Sequence, residues 1–571
     1  MSASSVPSWP PTGTAQSRLQ QLLGAGFSFL PLLCGLLPIW LYQHATTYMA
    51  WARPDLATPA VLVLAALCLL FAFVRYPAEA RATWVVAAGL GMTLGIFGFA
   101  LGETHAPADQ GGAEALGNAI AYGRILALAA GILSIWRPSF AIFPAVYFAF
   151  HKDVSRAVSQ AHELGRNDYA PLVEVGIFLA CGLIALALLQ LLARSRTSGA
   201  KPPVLSEIGT TAFATRCAAI LLLAGIGAHF GNYFLSGLAK VTLDGGPLSW
   251  ILENPTSAIM LGGYELGAAP LSFSPWLFTT AYEGFRAAEL PMNVVVLMVQ
   301  LFCFAAFLRR RWLIGLTAFF DLIHIGIFLL SGALFLHWII LNSLIVAALT
   351  RLKERTFPVS AIAAGMVATI AGHNVFYIAE LGWYDSRQIR HGYYEAFTKD
   401  GRRVPLAQSF LRDSSYLLFG RHFGYREHVN PSGHVPTGAW GQIGIKGIAP
   451  VASGTAASNY EIMRLTKDCA YPVEAPETPP DYDTDRPTPF IRAQHQRALA
   501  LKNSSLSISH NIYPHHHYSM PFRYSAFEAL APQDIVAYRY VVETVCLGTV
   551  DGRVERRVMT RTVGPEIDVR N

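Results

Sequence analysis

Long apolar runs alternate with short polar breaks from about Phe27 to Leu381, whereas from Asp385 to Asn571 no run is long enough to span a membrane. Backbone groups must satisfy one another inside hydrocarbon, so a crossing helix needs about 20 mostly apolar residues. Stretches at 27–43, 59–74, 83–102, 118–136, 171–194, 212–238, 290–308, 312–332, 335–350 and 358–380 meet that pattern. A shorter stretch, PSFAIFPAVYFAF at 138–150, carries two prolines and either crosses at a thin place or dips in and returns. The polar remainder has a different period. IVAYRYVVETVC (535–546) alternates Tyr and Val with polar residues, and Asp551-Gly552 precedes RVERRVMTRTV, a pattern that predicts a β-hairpin. Asp400-Gly401 predicts a second turn, and the proline-rich 472–489 reads as a linker or surface loop. The expected fold is an all-α polytopic membrane bundle of about 11 transmembrane helices followed by a C-terminal β-rich extramembrane domain. The expected division is a polar tail at 1–25, the bundle at 26–382 with an outer interfacial or re-entrant loop at 240–289, and the soluble domain at 383–571.

Composition agrees: 53% of residues are hydrophobic and 14% charged, against roughly a quarter charged in soluble domains. Charge placement sets the expected direction. With Arg18 cytoplasmic and 138–150 crossing, Arg75, Arg81, Arg137, Arg194, Arg196, Lys201, Arg309, Arg310, Arg311, Arg351, Lys353 and Arg355 all fall inside. That matches the positive-inside bias and places the C-terminal domain outside, in a periplasmic, extracellular or lumenal space. The net charge of +6 is then explained by lipid and topology, and no nucleic-acid partner is expected. The polar residues 1–25 and the absence of an A-x-A site mark the first run as a retained span. Only Cys469 and Cys546 lie in the soluble domain; an oxidising compartment lets them pair, and two unpaired core thiols is the alternative.

Candidate chemistry begins at Lys240, where the apolar run 218–238 ends. One reading is snorkelling, with the stem along apolar surface and the ammonium in water. The other is a lysine desolvated beneath the apolar loop ILENPTSAIMLGGYELGAAPLSFSPWLF and available as a base. His229, Asn232 and Ser236 share a helical face leading to it. In FFDLIHIGIFLLSGALFLHWIILN, Asp321 and His324 are one helical turn apart and His337 follows; they either glue helices together or form part of a site. His515 and His517 would share a face of an extended strand, a weak start for zinc or copper without further ligands, so no metal is expected. No hydrolase, zincin, CxxC or phosphate-loop motif occurs.

The segments FGNYFLSGLAKV…WILENP and FFDLIHIGIFLLSGALFLHWIILNSLI resemble the vitamin K-dependent γ-carboxylase-like family, the HTTM (horizontally transferred transmembrane) domain, over about residues 20 to 350. The resemblance implies a reaction chamber at the outer face, with a reduced vitamin K-like quinone as cofactor and lyase-type carboxylation as the activity. It implies Lys240 and His324 as catalytic residues, with His229, Asn232, Trp250, Asp321 and His337 around the quinone. A protein or peptide substrate would approach from the outer side. The competing expectation is a non-catalytic membrane scaffold docking through its outer domain. A transporter would want paired broken helices, and 138–150 has no counterpart.

Overall fold

In the computed structural model, residues 26–100, 113–159, 170–195, 203–352, 357–406, 410, 433–438, 440–444, 458–474, 482, 487–500 and 525–570 are described. The apolar runs become helices: α1 (Leu30–Trp51), α2 (Ala57–Ala72), α3 (Arg81–Ala100), α4 (Ala113–Leu133), α5 (Ile142–Ser159), α6 (Ala170–Ser195) and α7 (Thr211–Val241). Short α8 (Ser249–Glu253), α9 (Ala258–Glu265) and α10 (Pro275–Ala287) follow, then α11 (Glu289–Leu301), α12 (Arg310–Ser331), α13 (Leu336–Thr350) and α14 (Val359–Ala371). The spine is α7, whose first turn is capped by Thr210 Oγ1 accepting from the Phe213 amide. At 1.5 Å per residue its 31 residues reach about 46 Å, enough to cross hydrocarbon and enter one interface. α14 lies against it so closely that a Cβ on Gly227 would stand 2.2 Å from the Gly365 carbonyl oxygen; only glycine permits that approach.

Among the described residues, four helices are long and apolar enough to cross a membrane: Ala78–Ala100, Ala170–Ser195, Thr211–Val241 and Arg310–Ser331. The protein therefore has the makings of a membrane bundle, but the expected eleven full spans are not found among the described residues. Five further apolar helices have only 10–17 residues. The expected run 290–308 stops as an α-helix at Leu301 and tightens into a 3₁₀ turn at Cys303–Leu308. The run 358–380 leaves the α-helix at Ala371 and, after a 3₁₀ turn at Gly372–Asn374, continues non-helically to Leu381. The stretch 138–150 is not a separate crossing unit: a 3₁₀ turn at Pro138–Ala141 leads into α5, which carries on through His151, Lys152 and Asp153. Hydropathy counts apolar residues; it sees neither the local 3₁₀ turns at 138–141 and 303–308 nor the distant partners that take up the backbone of 377–381.

The loop expected at 240–289 folds into α8, α9 and α10, which form a platform between the bundle and the C-terminal domain. That domain, called the outer domain after the side expected from the charge pattern, is built on a four-stranded antiparallel sheet, order β2-β1-β3-β4, from β1 (Gln388–Thr398), β2 (Arg403–Pro405), β3 (Ile535–Val550) and β4 (Arg553–Asp568). The turns fall at Asp400-Gly401 and Asp551-Gly552, and both residues of the latter have positive φ, as a hairpin that follows the strand twist requires. Met260, Leu261, Phe278 and Tyr282 of the platform share an apolar cluster with Ile389, Val545 and Leu547 of the sheet. A charged bolt closes its edge: Glu265 lies 3.1 Å from His391 Nδ1 and 2.8 Å from Arg556 Nη2, which also reaches Glu543 at 2.5 Å. Burial would raise the Glu265 carboxyl, but His391 and Arg556 outweigh it and hold it at about 2.

Three helices complete the described part of this domain, α15 (Asn459–Lys467), α16 (Pro487–Ala500) and the one-turn α17 (Ser525–Glu528). α15 ends in a Schellman turn, with the Ala470 amide on the Leu465 carbonyl at 2.8 Å and the Cys469 amide on Thr466 at 3.1 Å. Cys469 sits at the left-handed position normally given to glycine. It is disulfide-bonded to Cys546 of β3, a closure across 77 residues. Replacing both cysteines by serine should lower the stability of the outer domain by about 2–4 kcal/mol, read as faster amide exchange in α15 and in β3 around Cys546. Unchanged exchange would mean that the bond does not hold these elements together.

Candidate functional site

The site is built on one face of α7. His229, Asn232, Tyr233, Ser236 and Lys240 recur at helical spacing and all are buried. Opposite Asn232, Ser236 and Lys240 runs the non-helical segment 377–381. The Ala379 amide donates to Asn232 Oδ1 at 2.9 Å and the Leu381 amide to Ser236 Oγ at 3.0 Å. Lys240 Nζ donates to the Leu381 carbonyl at 2.7 Å and to the Ser236 carbonyl at 3.2 Å. One step earlier, the Tyr377 amide reaches Glu174 Oε2 of α6 at 2.6 Å. The match is geometric: four residues of helix rise about 6 Å and two residues of extended chain about 6.6 Å, so Asn232 and Ser236, four apart, meet Ala379 and Leu381, two apart, and Lys240 closes the ladder on the carbonyl of the same Leu381. Backbone groups that would be orphaned by leaving the helix are paired by this ladder.

Lys240 is only 7% exposed. Its ammonium also lies 5.2 Å from the centre of the Trp250 ring, a cation–π contact. Above it, Leu243, Trp250, Ile251, Leu297 and Tyr384 form an apolar cap with residues of the outer domain. The acidic neighbour is Asp385, just beyond the extended segment and 2% exposed. Its Oδ2 accepts from Asn254 Nδ2 at 2.8 Å, its Oδ1 from Trp383 Nε1 at 3.0 Å, and its amide donates to Asn254 Oδ1 at 2.7 Å. Both carboxylate oxygens are thus engaged by neutral donors, and the hydrogen bonds of Lys240 go to carbonyls. The two residues interact electrostatically without an ion pair among the described residues. Burial pushes the Asp385 carboxyl up to about 7, against the Asn254 and Trp383 hydrogen bonds and the Lys240 charge, with Glu289 adding repulsion.

A second polar group lies deeper along the same face. Asn342 of α13 donates to Tyr233 Oη at 3.0 Å and to Asp321 Oδ1 at 2.9 Å, and its own Oδ1 is 2.9 Å from His229 Nε2. With both amide protons committed, Asn342 Oδ1 must accept, so His229 carries its proton on Nε2. His229 Nδ1 has no partner among the described residues. His324 is buried with its ring between those of Tyr233 (5.7 Å) and Phe335 (5.2 Å), edge-on to Trp338 at 5.3 Å. His337, also buried, contacts Trp338 at 5.9 Å. The structure therefore gathers Asn232, Lys240 and Trp250 toward the C-terminal end of α7, links His229 and Asp321 through Asn342, and stacks His324 on Tyr233, while His337 sits in the first turn of α13 against Trp338. His515 and His517 lie outside the described residues.

The chain matches no known family model, no curated protein and no solved structure. Sequence reasoning missed Asp385, Asn254, Tyr233 and Asn342. The only trace of Asp385 was its place directly after the last apolar run; Asn342 was hidden as one amide in an apolar helix.

Ser236→Ala removes the acceptor of the Leu381 amide and should cost roughly 1–3 kcal/mol, seen as lost exchange protection at Leu381 with α7 otherwise intact. For Asp385, the folded carboxyl titrates near 7 and the unfolded one near about 3.9. Its stabilising contribution is therefore complete in acid and is lost as pH rises toward 7. Asp385→Asn should flatten the fall in melting temperature between about pH 4 and 7; an identical pH profile would remove Asp385 as its source.

Proposed function

We propose that this is an integral membrane protein that carries out proton-transfer chemistry on a lipophilic, quinone-like ligand at the outer face of the bilayer, with Lys240 and Asp385 as its acid–base pair. The observation that carries this reading is two buried ionisable groups of opposite sign, in electrostatic reach of one another yet each held by neutral dipoles. A lysine locked in a contact ion pair is a poor base. Here both carboxylate oxygens of Asp385 are taken up by Asn254 and Trp383. A carboxyl poised near neutrality can both take and return a proton. Trp250 and Tyr384, with Leu243, Ile251 and Leu297, offer flat and apolar surface beside the amine, which suits a planar lipophilic ring. A reduced quinone bound here would present an acidic hydroxyl; once the Lys240 ammonium has given a proton to the Asp385 carboxylate, its neutral amine could accept the hydroxyl proton and become the ammonium again, beside an apolar cap that limits access of water. Carboxylation of a protein or peptide from the outer side, as the resemblance to the γ-carboxylase-like family implies, is the corresponding lyase activity, and His324 would then stand in contact with the ligand.

The direction is part of the proposal. Arg81, Arg351 and Arg310 gather at the end of α7 remote from Lys240, which by the positive-inside bias is cytoplasmic, leaving the sheet outside. One observation favours a second reading, a scaffold that holds out its soluble domain: the Lys240 hydrogen bond to Leu381 ties α7 to the segment that leads from α14 into that domain.

The two readings separate in one experiment. Lys240→Met and Asp385→Asn proteins are purified, their melting temperatures measured, and co-purifying lipids identified by mass spectrometry. The proposal expects a quinone-class lipid with the native chain, lost at least tenfold in both variants while folding persists. A scaffold expects lower melting temperatures and no change in bound lipid.

A further inference from the structure

At the other end of the spine is a cavity of about 780 Å³ between the start of α3, the first turns of α7 and the segment after α13. Its mouth carries two exposed guanidiniums, Arg81 and Arg351, with Glu79 beside them. Among the described residues no ion pair joins either arginine to Glu79 or to another carboxylate. Neighbouring Arg310 is already committed, donating from Nη1 to the Leu352 carbonyl at 2.5 Å. The floor is different in kind: Ala82, Ala218 and Leu222 are buried and apolar. The lining hydroxyls are already spent, Thr83 on the Ala218 carbonyl at 3.0 Å and Thr215 on the Thr211 carbonyl at 2.9 Å, so neither asks for a further acceptor.

Leu222 and Lys240 are 18 residues apart on one helix, about 27 Å along its axis. That is close to the ~30 Å thickness of bilayer hydrocarbon, so the cavity and the Lys240 site belong to opposite interfaces. The cavity lies on the arginine-rich side, where anionic lipids are concentrated at a cytoplasmic surface. Two cations above an apolar hollow require an anion joined to a hydrocarbon chain.

We infer that this cavity binds an anionic phospholipid, its phosphate between Arg81 and Arg351 and part of an acyl chain against Ala82, Ala218 and Leu222. The chemistry shared with free phosphate is recognition of the anion by guanidinium; the apolar floor assigns the lipid. The site is independent of the proton chemistry proposed at Lys240.

The test uses the full chain in phosphatidylcholine nanodiscs doped with phosphatidylglycerol, with lipid retention measured by native mass spectrometry. The native chain should retain phosphatidylglycerol over phosphatidylcholine, and Arg81→Gln with Arg351→Gln together should lower retention at least tenfold. Ala219→Phe, which fills the cavity without altering charge, should lower it as well, whereas Arg311→Gln, away from the cavity, should leave it unchanged. Three results would overturn the inference: equal retention of the two lipids, retention insensitive to the double substitution and to Ala219→Phe, or displacement of the lipid by millimolar inorganic phosphate alone. Melting temperatures of all variants distinguish loss of the site from loss of the fold.

Discussion

The structure depends on one requirement: a chain that stops being helical beside an apolar bundle must find partners for its backbone elsewhere. Between Tyr377 and Leu381 those partners are side chains of other helices, Glu174 on α6 and then Asn232, Ser236 and Lys240 on α7. The near equality of four helical rises and two extended ones makes the ladder possible. Much else follows. The ladder directs the chain out of the bundle into Trp383 and Asp385, so the last helix and the first strand are joined by a stiff connection. It also draws the Lys240 stem inward, which is why the amine is buried at the end of an apolar helix, where snorkelling would expose it.

Rigidity on the outer side comes from contacts that converge on the same platform. The apolar cluster of α9 and α10 against β1 and β3 carries the hydrophobic share, and the Glu265–His391–Arg556 bolt fixes register at its edge. Gly332, in the left-handed conformation after α12, packs on Ala268 so tightly that a Cβ would approach its carbonyl oxygen to 2.1 Å. The platform thus presses on the bundle and the sheet together, and Trp250 and Asn254, at either end of α8, are held over Lys240 by Asn293 of α11, which donates to the Trp250, Ile251 and Asn254 carbonyls. Buried charge at this junction is tolerated because each group has several dipoles around it.

What the sequence revealed depended on range. Local chemistry was legible: both Asp-Gly turns close hairpins, and the abrupt end of the apolar run at Lys240 marked the C-terminal end of α7. The number of spans was not, because α11 tightens into a 3₁₀ turn and the chain after α14 leaves the helix where tertiary partners replace helical hydrogen bonds, and hydropathy carries no record of either. The candidate site divided in the same way. Asn232 and Ser236 share a face with Lys240 by helical spacing alone, yet Asp385 is reached only across 145 residues and Asn342 joins His229 across 113. A single apolar helix gives no reason to single out its one amide until the facing helix is known.

The account stands or falls on the shielding of one amine. A water-soluble amine-acylating reagent applied to the native protein at mildly alkaline pH, with modified lysines mapped by mass spectrometry, measures that directly. Exposed Lys399 and Lys467 should be modified readily, and Lys240 should remain unmodified until the protein is denatured. Acylation of native Lys240 at the rate of those two would contradict the buried ladder and the acid–base site built on it.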